Sequence, residues 1–150
     1  MPNGLTLQPG DDSSSKDIEE ILRSYKTIAV VGLSPKESRD SHKVARYLLE
    51  QGYEIVPVNP GQKEILGKPC FQSLLDIPFQ VDVANLFLGP ARIPSAVDQA
   101  IQIGVHAIWM QIGVVDKESA QKARDAGIPV VMDRCIMQEH RKRIITLSAP

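Results

Sequence analysis

The groups best suited to bind a phosphate lie in one short segment, residues 26–36, with the sequence KTIAVVGLSPK. Its apolar, β-branched run from Ile28 to Val31 is typical of a central strand that is covered on both faces. Gly32 then permits a sharp turn and a close approach of the backbone to a ligand. A helix is predicted from about Ser41 to Gln51, and the free N–H groups and dipole of a helix N-terminus favour an anion. Strand, glycine loop and helix start together predict a phosphate site.

Cations and hydroxyl groups in and after the glycine loop are candidates for direct phosphate contact. Gly32 and Ser34 are expected to offer backbone N–H groups to a pyrophosphate, so a Gly32→Val change should abolish ligand binding more than it lowers stability. Arg39 is the best-suited cation, because its planar guanidinium can make two hydrogen bonds to a phosphate. Asp40 would repel a phosphate unless it caps the helix and points away. The candidates in this segment are Gly32, Leu33, Ser34, Lys36, Arg39, Ser41 and Lys43.

The other reactive side chains form no recognisable catalytic or metal-binding pattern. Cys70 and Cys135 are far apart and have no CxxC spacing, which favours reduced thiols in a cytosolic protein. His42, His106 and His140 share no metal-ligand spacing with the cysteines, and none is paired in sequence with an evident nucleophile. The sequence therefore predicts neither a catalytic residue nor a metal site.

Size and charge narrow the class of protein further. A chain of 150 residues predicts one domain that can bury a core without a metal or a disulfide. The net charge of −1 gives no support for a nucleic-acid or membrane-surface partner. The N-terminus lacks the apolar segment of a signal peptide, so a cytoplasmic protein is expected, with any protein partner left open. Residues 1–15 are rich in Gly, Pro, Ser and Asp and predict a flexible tail before a folded domain over 16–150.

Strands and helices alternate along the folded part. The predicted strands span residues 28–31, 53–58, 81–88, 106–112 and 128–132. The predicted helices span about 17–25, 41–51, 94–103, 116–126 and 137–144, the first with Asp17 and Glu20 as its cap pair. Residues 62–78 form a connector with a turn at Gly67 to Pro69 and a short helix near 73–75. This alternation predicts an α/β fold of three layers, a five-stranded parallel sheet with helices on both faces.

Ligands of such sheets bind beyond the carboxyl ends of the strands, where the strand order reverses. Five loops meet at that edge, at residues 32–40, 59–63, 88–94, 111–115 and 133–136. Beyond the glycine loop, the candidate binding residues are Asn59, Pro60, Lys63, Leu88, Arg92, Gln111, Gly113 and Arg134.

The loop sequence argues against NAD as the nucleotide. GLSPKE lacks two of the three glycines of the G-x-G-x-x-G fingerprint. Asn59 stands where an acidic residue would bind the ribose hydroxyl. NADP remains an alternative ligand, because Lys63 could bind its 2′-phosphate. Coenzyme A, with a pyrophosphate, a 3′-phosphate and a pantetheine arm, fits better because it needs no such acid.

Three segments carry a resemblance to a known family. KTIAVVGLS, VARYLLEQGYEIVPVNP and GIPVVMDRCIMQEH resemble the small stand-alone CoA-binding proteins. These are single Rossmann-like domains, similar to the CoA-binding domains of succinyl-CoA synthetase and acyl-CoA synthetases. The resemblance covers residues 17–146 and implies a Rossmann-like fold and CoA as the ligand. The chain lacks the second ligase domain of the synthetases and any segment like their phosphohistidine loop.

The resemblance also implies roles for individual residues. The Asn59–Pro60 segment would line the adenosine, with Lys63 on the 3′-phosphate. Leu88 would press on the adenine, with Arg92 near a phosphate. Gln111 and Gly113 would face the pantetheine arm, with Trp109 in the core. Apart from the resemblance, Asp133, Arg134 and Cys135 are the one place that could hold chemistry, because the Cys135 thiol could form a mixed disulfide with the CoA thiol. The alternative is that Cys135 is a small buried apolar side chain.

The expected function is binding of CoA or an acyl-CoA at the carboxyl ends of the strands, without catalysis by this chain. Two alternatives remain, a small NADP- or CoA-dependent enzyme and the CoA-binding subunit of an acyl-CoA synthetase-type complex.

Overall fold

A five-stranded parallel sheet forms the centre of the computed structural model, which describes residues 14–148. Its strands are β1 (Thr27–Val31), β2 (Glu54–Val58), β5 (Val83–Leu86), β6 (Ala107–Met110) and β7 (Val130–Val131). They lie in the order β2-β1-β5-β6-β7, and each neighbouring pair is parallel. Except for Thr27 and Glu54 at their amino ends, the strand residues are buried, as expected for strands covered on both faces.

Helices cover both faces of the sheet. They are α1 (Ser15–Ser24), α2 (Asp40–Glu50), α3 (Ile93–Ile103), α4 (Lys117–Asp125), α5 (Ile136–Lys142) and α6 (Ile144–Ser148). The first core layer holds apolar side chains of α1, α2 and α5, and the second holds those of α3 and α4. The predicted three-layer Rossmann-like α/β fold is therefore confirmed.

The strand order reverses beside β1. The chain runs from β1 outward to β2, then crosses back to β5 on the other side of β1 and continues to β6 and β7. The carboxyl ends of β1 and β5 consequently diverge into loops on opposite sides, which opens a crevice between them.

Element ends differ from the sequence prediction in several places. α1 starts earlier than Asp17, because Ser14 is its cap: Ser14 Oγ accepts from the Asp17 N–H at 3.1 Å, and Asp17 Oδ2 accepts from the Ser14 N–H at 3.3 Å. α2 starts at Asp40 with Arg39 as its N-cap. The last helix is divided at Arg143, which leaves α5 and α6 as separate helices. Residues 1–13 of the predicted tail lie outside the described residues.

A short hairpin that the sequence did not predict closes the β2 edge of the sheet. It pairs β3 (Glu64–Ile65) with β4 (Lys68–Pro69) through Leu66 and Gly67, both at positive φ. Just after β4, the Phe71 N–H donates to the Pro57 carbonyl at 3.0 Å, and the Phe71 carbonyl accepts from the Asn59 N–H at 2.9 Å. The N–H and the carbonyl of a strand residue point to the same side of the strand. Because the Pro57 carbonyl points to this outer edge, the N–H that proline lacks would have pointed there as well, and β2 loses no hydrogen bond to β1.

Candidate functional site

A cleft of about 330 Å³ opens at the crevice between β1 and β5. The loop after β1, the start of α2 and the ends of β5 and β6 form its walls. It is lined by Gly32, Ser34, Arg39, Asp40, Ser41, Phe87, Leu88, Gln111, Ile112 and Val114. Six of these residues were predicted from the sequence, so the structure brings together the glycine loop, the helix start and one residue of the β6 loop.

The glycine loop is held rigidly by side chains around Ser34. The Ser34 N–H donates to Ser41 Oγ at 3.0 Å, and the Ser34 carbonyl accepts from His42 Nδ1 at 2.9 Å. Since a carbonyl can only accept, His42 carries its ring proton on Nδ1. Asn59 Nδ2 donates to the Leu33 carbonyl at 2.9 Å, which ties the β2 loop to the same segment. The loop is thus fixed before any ligand arrives, which lowers the entropic cost of binding.

The N-terminus of α2 faces this cleft without a capping side chain. Arg39 is the N-cap residue and makes no side-chain cap hydrogen bond. The His42 and Lys43 N–H groups both donate to the Arg39 carbonyl at 3.1 Å, so the N–H groups of Asp40 and Ser41 are the ones left for a ligand or water. The Arg39 side chain and the helix dipole favour an anion here, the dipole by about 0.3–1 kcal/mol. Asp40 lies at the first helical position rather than capping, and it also lines the cleft. Its carboxylate opposes part of the positive potential.

Gly32 has a structural role that the sequence did not reveal. Its N–H donates to the Val58 carbonyl at 2.9 Å and is therefore not available to a pyrophosphate. Its φ is +88°, and a Cβ placed on it would lie 2.1 Å from the Phe87 carbonyl oxygen. The expectation that Gly32→Val would affect binding more than stability is wrong, because the added side chain would collide with the backbone at the end of β5. The N–H of Ser34, bonded to Ser41, is likewise not available to a pyrophosphate.

A second cleft, of about 230 Å³, lies on the other side of Leu88. Pro60 and Arg92, both predicted, line it. Four polar residues that were not predicted from the sequence also line it, Gln72, Ser73, Ser95 and Gln99. Ser95 and Gln99 are four residues apart on α3 and so share a helix face, a spacing that could have identified them. Leu88 separates the two clefts and contributes to both.

Several predicted binding residues lie outside the two clefts. The Leu33 side chain is fully buried in the core, and the Asn59 side chain bonds the Leu33 carbonyl and the Gly61 N–H. Exposed positions that line neither cleft are occupied by Lys36, Lys43 and Lys63.

Gly113 and the segment after β7 are linked to each other. The Gly113 N–H donates to Asp133 Oδ1 at 2.7 Å, and Asp133 has a φ of 58°. Gly113 borders a small cavity of about 10 Å³ beside Leu88. Cys135 is buried and Trp109 is fully buried, with Trp109 Nε1 donating to the Arg134 carbonyl at 2.8 Å. The core placement of Trp109 is therefore confirmed.

Arg134 takes part in a charged cluster around the buried carboxylate of Glu139. Arg134 Nη1 lies 3.5 Å from Glu139 Oε2, Lys142 Nζ lies 3.2 Å from the same oxygen, and Arg143 Nη1 lies 2.8 Å from Oε1. Burial raises the pKa of Glu139, but the hydrogen bonds from Arg143 and Lys142 outweigh it and hold the pKa below its ordinary value. Arg143 also donates to Ser15 Oγ at 2.8 Å, so the cluster joins α5 to α1.

A buried amide pair beneath the first cleft was also missed. Asn85 of β5 is fully buried, and its Oδ1 accepts from Gln111 Nε2 at 2.7 Å. Asn85 Nδ2 is buried without a hydrogen-bond partner, which costs about 1–3 kcal/mol. A polar residue inside a predicted buried strand is the signal that could have found it.

The described residues include neither a membrane-spanning helix nor a cluster of metal ligands. Among residues 14–148, no helix has both the length and the apolar character needed to cross a membrane. The same residues contain no group of three or more His, Cys, Asp or Glu side chains placed to hold a metal ion.

Comparison with known proteins relates the chain to one family. A family model described as a CoA binding domain matches residues 26–141. The uncharacterised protein YneT of Bacillus subtilis (strain 168) is 38% identical over 127 residues, which cover 85% of this chain and 94% of YneT. A hypothetical protein from Pyrococcus horikoshii OT3 has a solved structure that matches with a TM-score of 0.88 and 43% identity, over 93% of this chain and 99% of that one.

The same chain is similar to one part of a larger enzyme. The ADP-forming acetate–CoA ligase I of Archaeoglobus fulgidus is 28% identical over 121 residues. These residues cover 74% of this chain but 18% of the ligase, so the similarity concerns one segment of that enzyme.

Proposed function

Because the chain belongs to the CoA-binding domain family, we propose that it binds coenzyme A or an acyl-CoA in the two clefts that meet at Leu88. The pyrophosphate would lie at the N-terminus of α2 beside Arg39. The adenosine would occupy the second cleft, between Pro60 and Arg92. The pantetheine arm would follow the first cleft towards Gln111.

The observation that carries this proposal is the uncapped N-terminus of α2 at the point where the strand order reverses. Asp40 and Ser41, whose N–H groups begin the helix, line one cleft together with Arg39 and Ser34. Ser34 Oγ accepts from the Lys36 N–H at 3.1 Å, which leaves the hydroxyl hydrogen for a phosphate oxygen. These groups suit a pyrophosphate in both charge and hydrogen-bonding capacity.

The residue that follows β2, Asn59, favours CoA over NAD as the ligand. The Asn59 side chain bonds the Leu33 carbonyl and the Gly61 N–H, so it holds two loops together. An NAD-binding protein of this fold would have a carboxylate at this place for the ribose hydroxyls. NADP, which carries a phosphate there, is the competing ligand that an experiment must separate from CoA.

A binding role fits the cleft better than a catalytic one. Ser34 and Ser41 are the hydroxyl groups of the first cleft, and both accept hydrogen bonds within the loop. Among the described residues, the nearby His42 directs Nδ1 to a backbone carbonyl rather than to either hydroxyl. No activated nucleophile is therefore assembled from these three residues. We infer a carrier, sensor or partner subunit in the cytoplasm.

A subunit role in an acyl-CoA synthetase-type complex is the second candidate. It is supported by the ligase similarity, in which the matching segment is a small share of the whole enzyme. In that case a separate chain would supply the catalytic residues. Co-purification of the tagged chain with a ligase-type partner from its own cells would favour this role over a stand-alone one.

Calorimetric titration with CoA, dephospho-CoA, NADP and NAD at one fixed low salt concentration tests the ligand. We expect CoA to bind with micromolar affinity, about 8 kcal/mol, because three or four phosphate contacts and a partly buried adenine together supply that after the cost of association. Dephospho-CoA should bind more weakly, and NAD should give no heat. Binding of NADP without binding of CoA would overturn the proposal and favour an oxidoreductase.

Arg39→Ala should weaken CoA binding by about 10- to 100-fold, because a charged hydrogen bond contributes about 1.5–3 kcal/mol. Lys43→Ala is the matched control, since Lys43 has the same charge, lies on the same helix and lines neither cleft. Its effect should be small and should vanish with added salt. Equal losses for both variants would show that general charge, rather than a contact in the cleft, attracts the ligand.

A further inference from the structure

Asn85 lies directly beneath the floor of the first cleft. Its β-strand neighbours in register are Val30 of β1 and Trp109 of β6, both fully buried. Strand alternation places Asn85 on the same face as Phe87, which lines the cleft two residues further along. Asn85 is thus a polar side chain in an apolar layer, directly beneath the cleft proposed for the ligand.

Gln111 is the one hydrogen-bond partner of the Asn85 side chain among the described residues. Gln111 Nε2 donates to Asn85 Oδ1, and Gln111 also lines the cleft. With Nε2 directed at Asn85, the other end of the amide, Oε1, is left for the cleft. Asn85 Nδ2 is wholly buried, so a ligand would contact Gln111 and not Asn85.

We propose that Asn85 is a positioning residue that turns the Gln111 amide so that Oε1 accepts a hydrogen bond from an amide N–H of the pantetheine arm. This inference rests on the proposed CoA function. In this arrangement Asn85 Oδ1 holds Gln111 Nε2, and without an amide at position 85 no other described side chain would bond either end of the Gln111 amide. Asn85 Nδ2 has no partner, a cost that an apolar side chain at this position would avoid, so the bond to Gln111 is the feature that a purely packing role would not explain.

The position of Gln111 favours contact with the pantetheine arm over contact with the phosphates. β6 lies two strands from β1, so Gln111 is about 10 Å across the sheet from the glycine loop. A carbonyl acceptor would repel a phosphate, whereas a secondary amide offers the N–H that it needs. Ile112 and Val114 line the cleft beside Gln111, and their apolar side chains suit the methylene groups of the arm.

The test compares CoA with 3′-phospho-ADP, the same nucleotide without the arm. In Asn85→Leu, we expect CoA affinity to fall about fivefold, the loss of one neutral hydrogen bond. The affinity for 3′-phospho-ADP should not change. Gln111→Leu should show the same loss for CoA alone. The double variant should lose no more than Gln111→Leu, because Asn85 acts only through Gln111.

Each other outcome contradicts the inference. Equal losses for CoA and 3′-phospho-ADP would mean that Asn85 only maintains the fold. Additive losses in the double variant would mean that Asn85 acts independently of Gln111, and undiminished CoA binding would remove any role for the pair. Failure of the wild type to bind CoA would instead reject the proposed function itself. Urea denaturation of each variant shows that it is folded before binding is compared.

Discussion

Replacement of Gly32 by alanine is expected to lower the free energy of unfolding by about 2–5 kcal/mol. A left-handed backbone costs an L-residue about 1–2 kcal/mol, and forcing an atom into a packed site costs about 1–3 kcal/mol more. The φ of Gly32 is +88°, and the atom in the way, the Phe87 oxygen, belongs to the backbone and cannot rotate aside. Urea denaturation followed by the fluorescence of Trp109, the single tryptophan, measures the change.

Gly52→Ala is the matched control for this substitution. Gly52 has a φ of +95°, but nothing lies within 4 Å of a Cβ placed on it. This variant should therefore lose only the backbone contribution, about 1–2 kcal/mol. Similar losses in both variants would show that the loop after β1 moves to admit a side chain, and the predicted rigidity of the phosphate site would then be wrong.

Glu139→Gln is expected to destabilise the protein by about 3–5 kcal/mol, the usual effect of removing one partner of a buried ion pair. The Arg143 side chain is 11% exposed and would remain nearly buried without a counter-charge. Its bonds to Glu139 and to Ser15 connect α5 with α1, so both helices should loosen together. Denaturation at pH 7 measures the loss.

Glu37→Gln is the matched control, because Arg46 and Glu37 also meet at 2.8 Å but are well exposed. It should leave stability unchanged within the error of the measurement, since exposed pairs are screened by water and salt. Equal effects in the two variants would mean that burial does not strengthen the Glu139 cluster.

The pH dependence of stability follows from the same carboxylate. Folding lowers the pKa of Glu139 below its ordinary value of 4.5, so the unfolded chain binds the proton more readily. The stabilisation is complete above pH 4.5 and is lost as the pH falls through the lower pKa of the folded state. Glu139→Gln should show a shallower loss of stability in that acidic range, and an unchanged slope would contradict the assignment.

The three-layer fold and the edge of the sheet that carries the clefts could be predicted, because both depend on the local pattern of apolar, polar and glycine residues. Apolar runs indicated the strands, and the polar and glycine-rich loops that follow them had to meet at one edge of a parallel sheet. The partners of individual groups could not be predicted, because they join distant parts of the chain. The Gly32 N–H donates to the Val58 carbonyl, and Arg143 donates to Ser15 at the other end of the folded chain.

The missed features share a cause. Asn85 appeared as one residue of an apolar strand, and only its pairing with Gln111 makes it relevant to the cleft. The β3–β4 hairpin has two residues in each strand, too short for any periodic signal. The wrong expectation for Gly32→Val assumed that the space above Gly32 holds the ligand, whereas the Phe87 carbonyl already occupies it.

The pairing of Phe71 with the outer edge of β2 affects how readily this domain can add a strand from another chain. An open border strand is a template onto which a foreign strand can add, the first step towards amyloid-like stacking or exchange of segments between chains. Here Phe71 takes the outward carbonyl of Pro57 and the outward N–H of Asn59, and Pro57 itself has no N–H to offer. The Pro57 carbonyl and the Asn59 N–H are therefore not available to an added strand. At these two groups the border is closed to the addition of a strand from a neighbouring domain or chain.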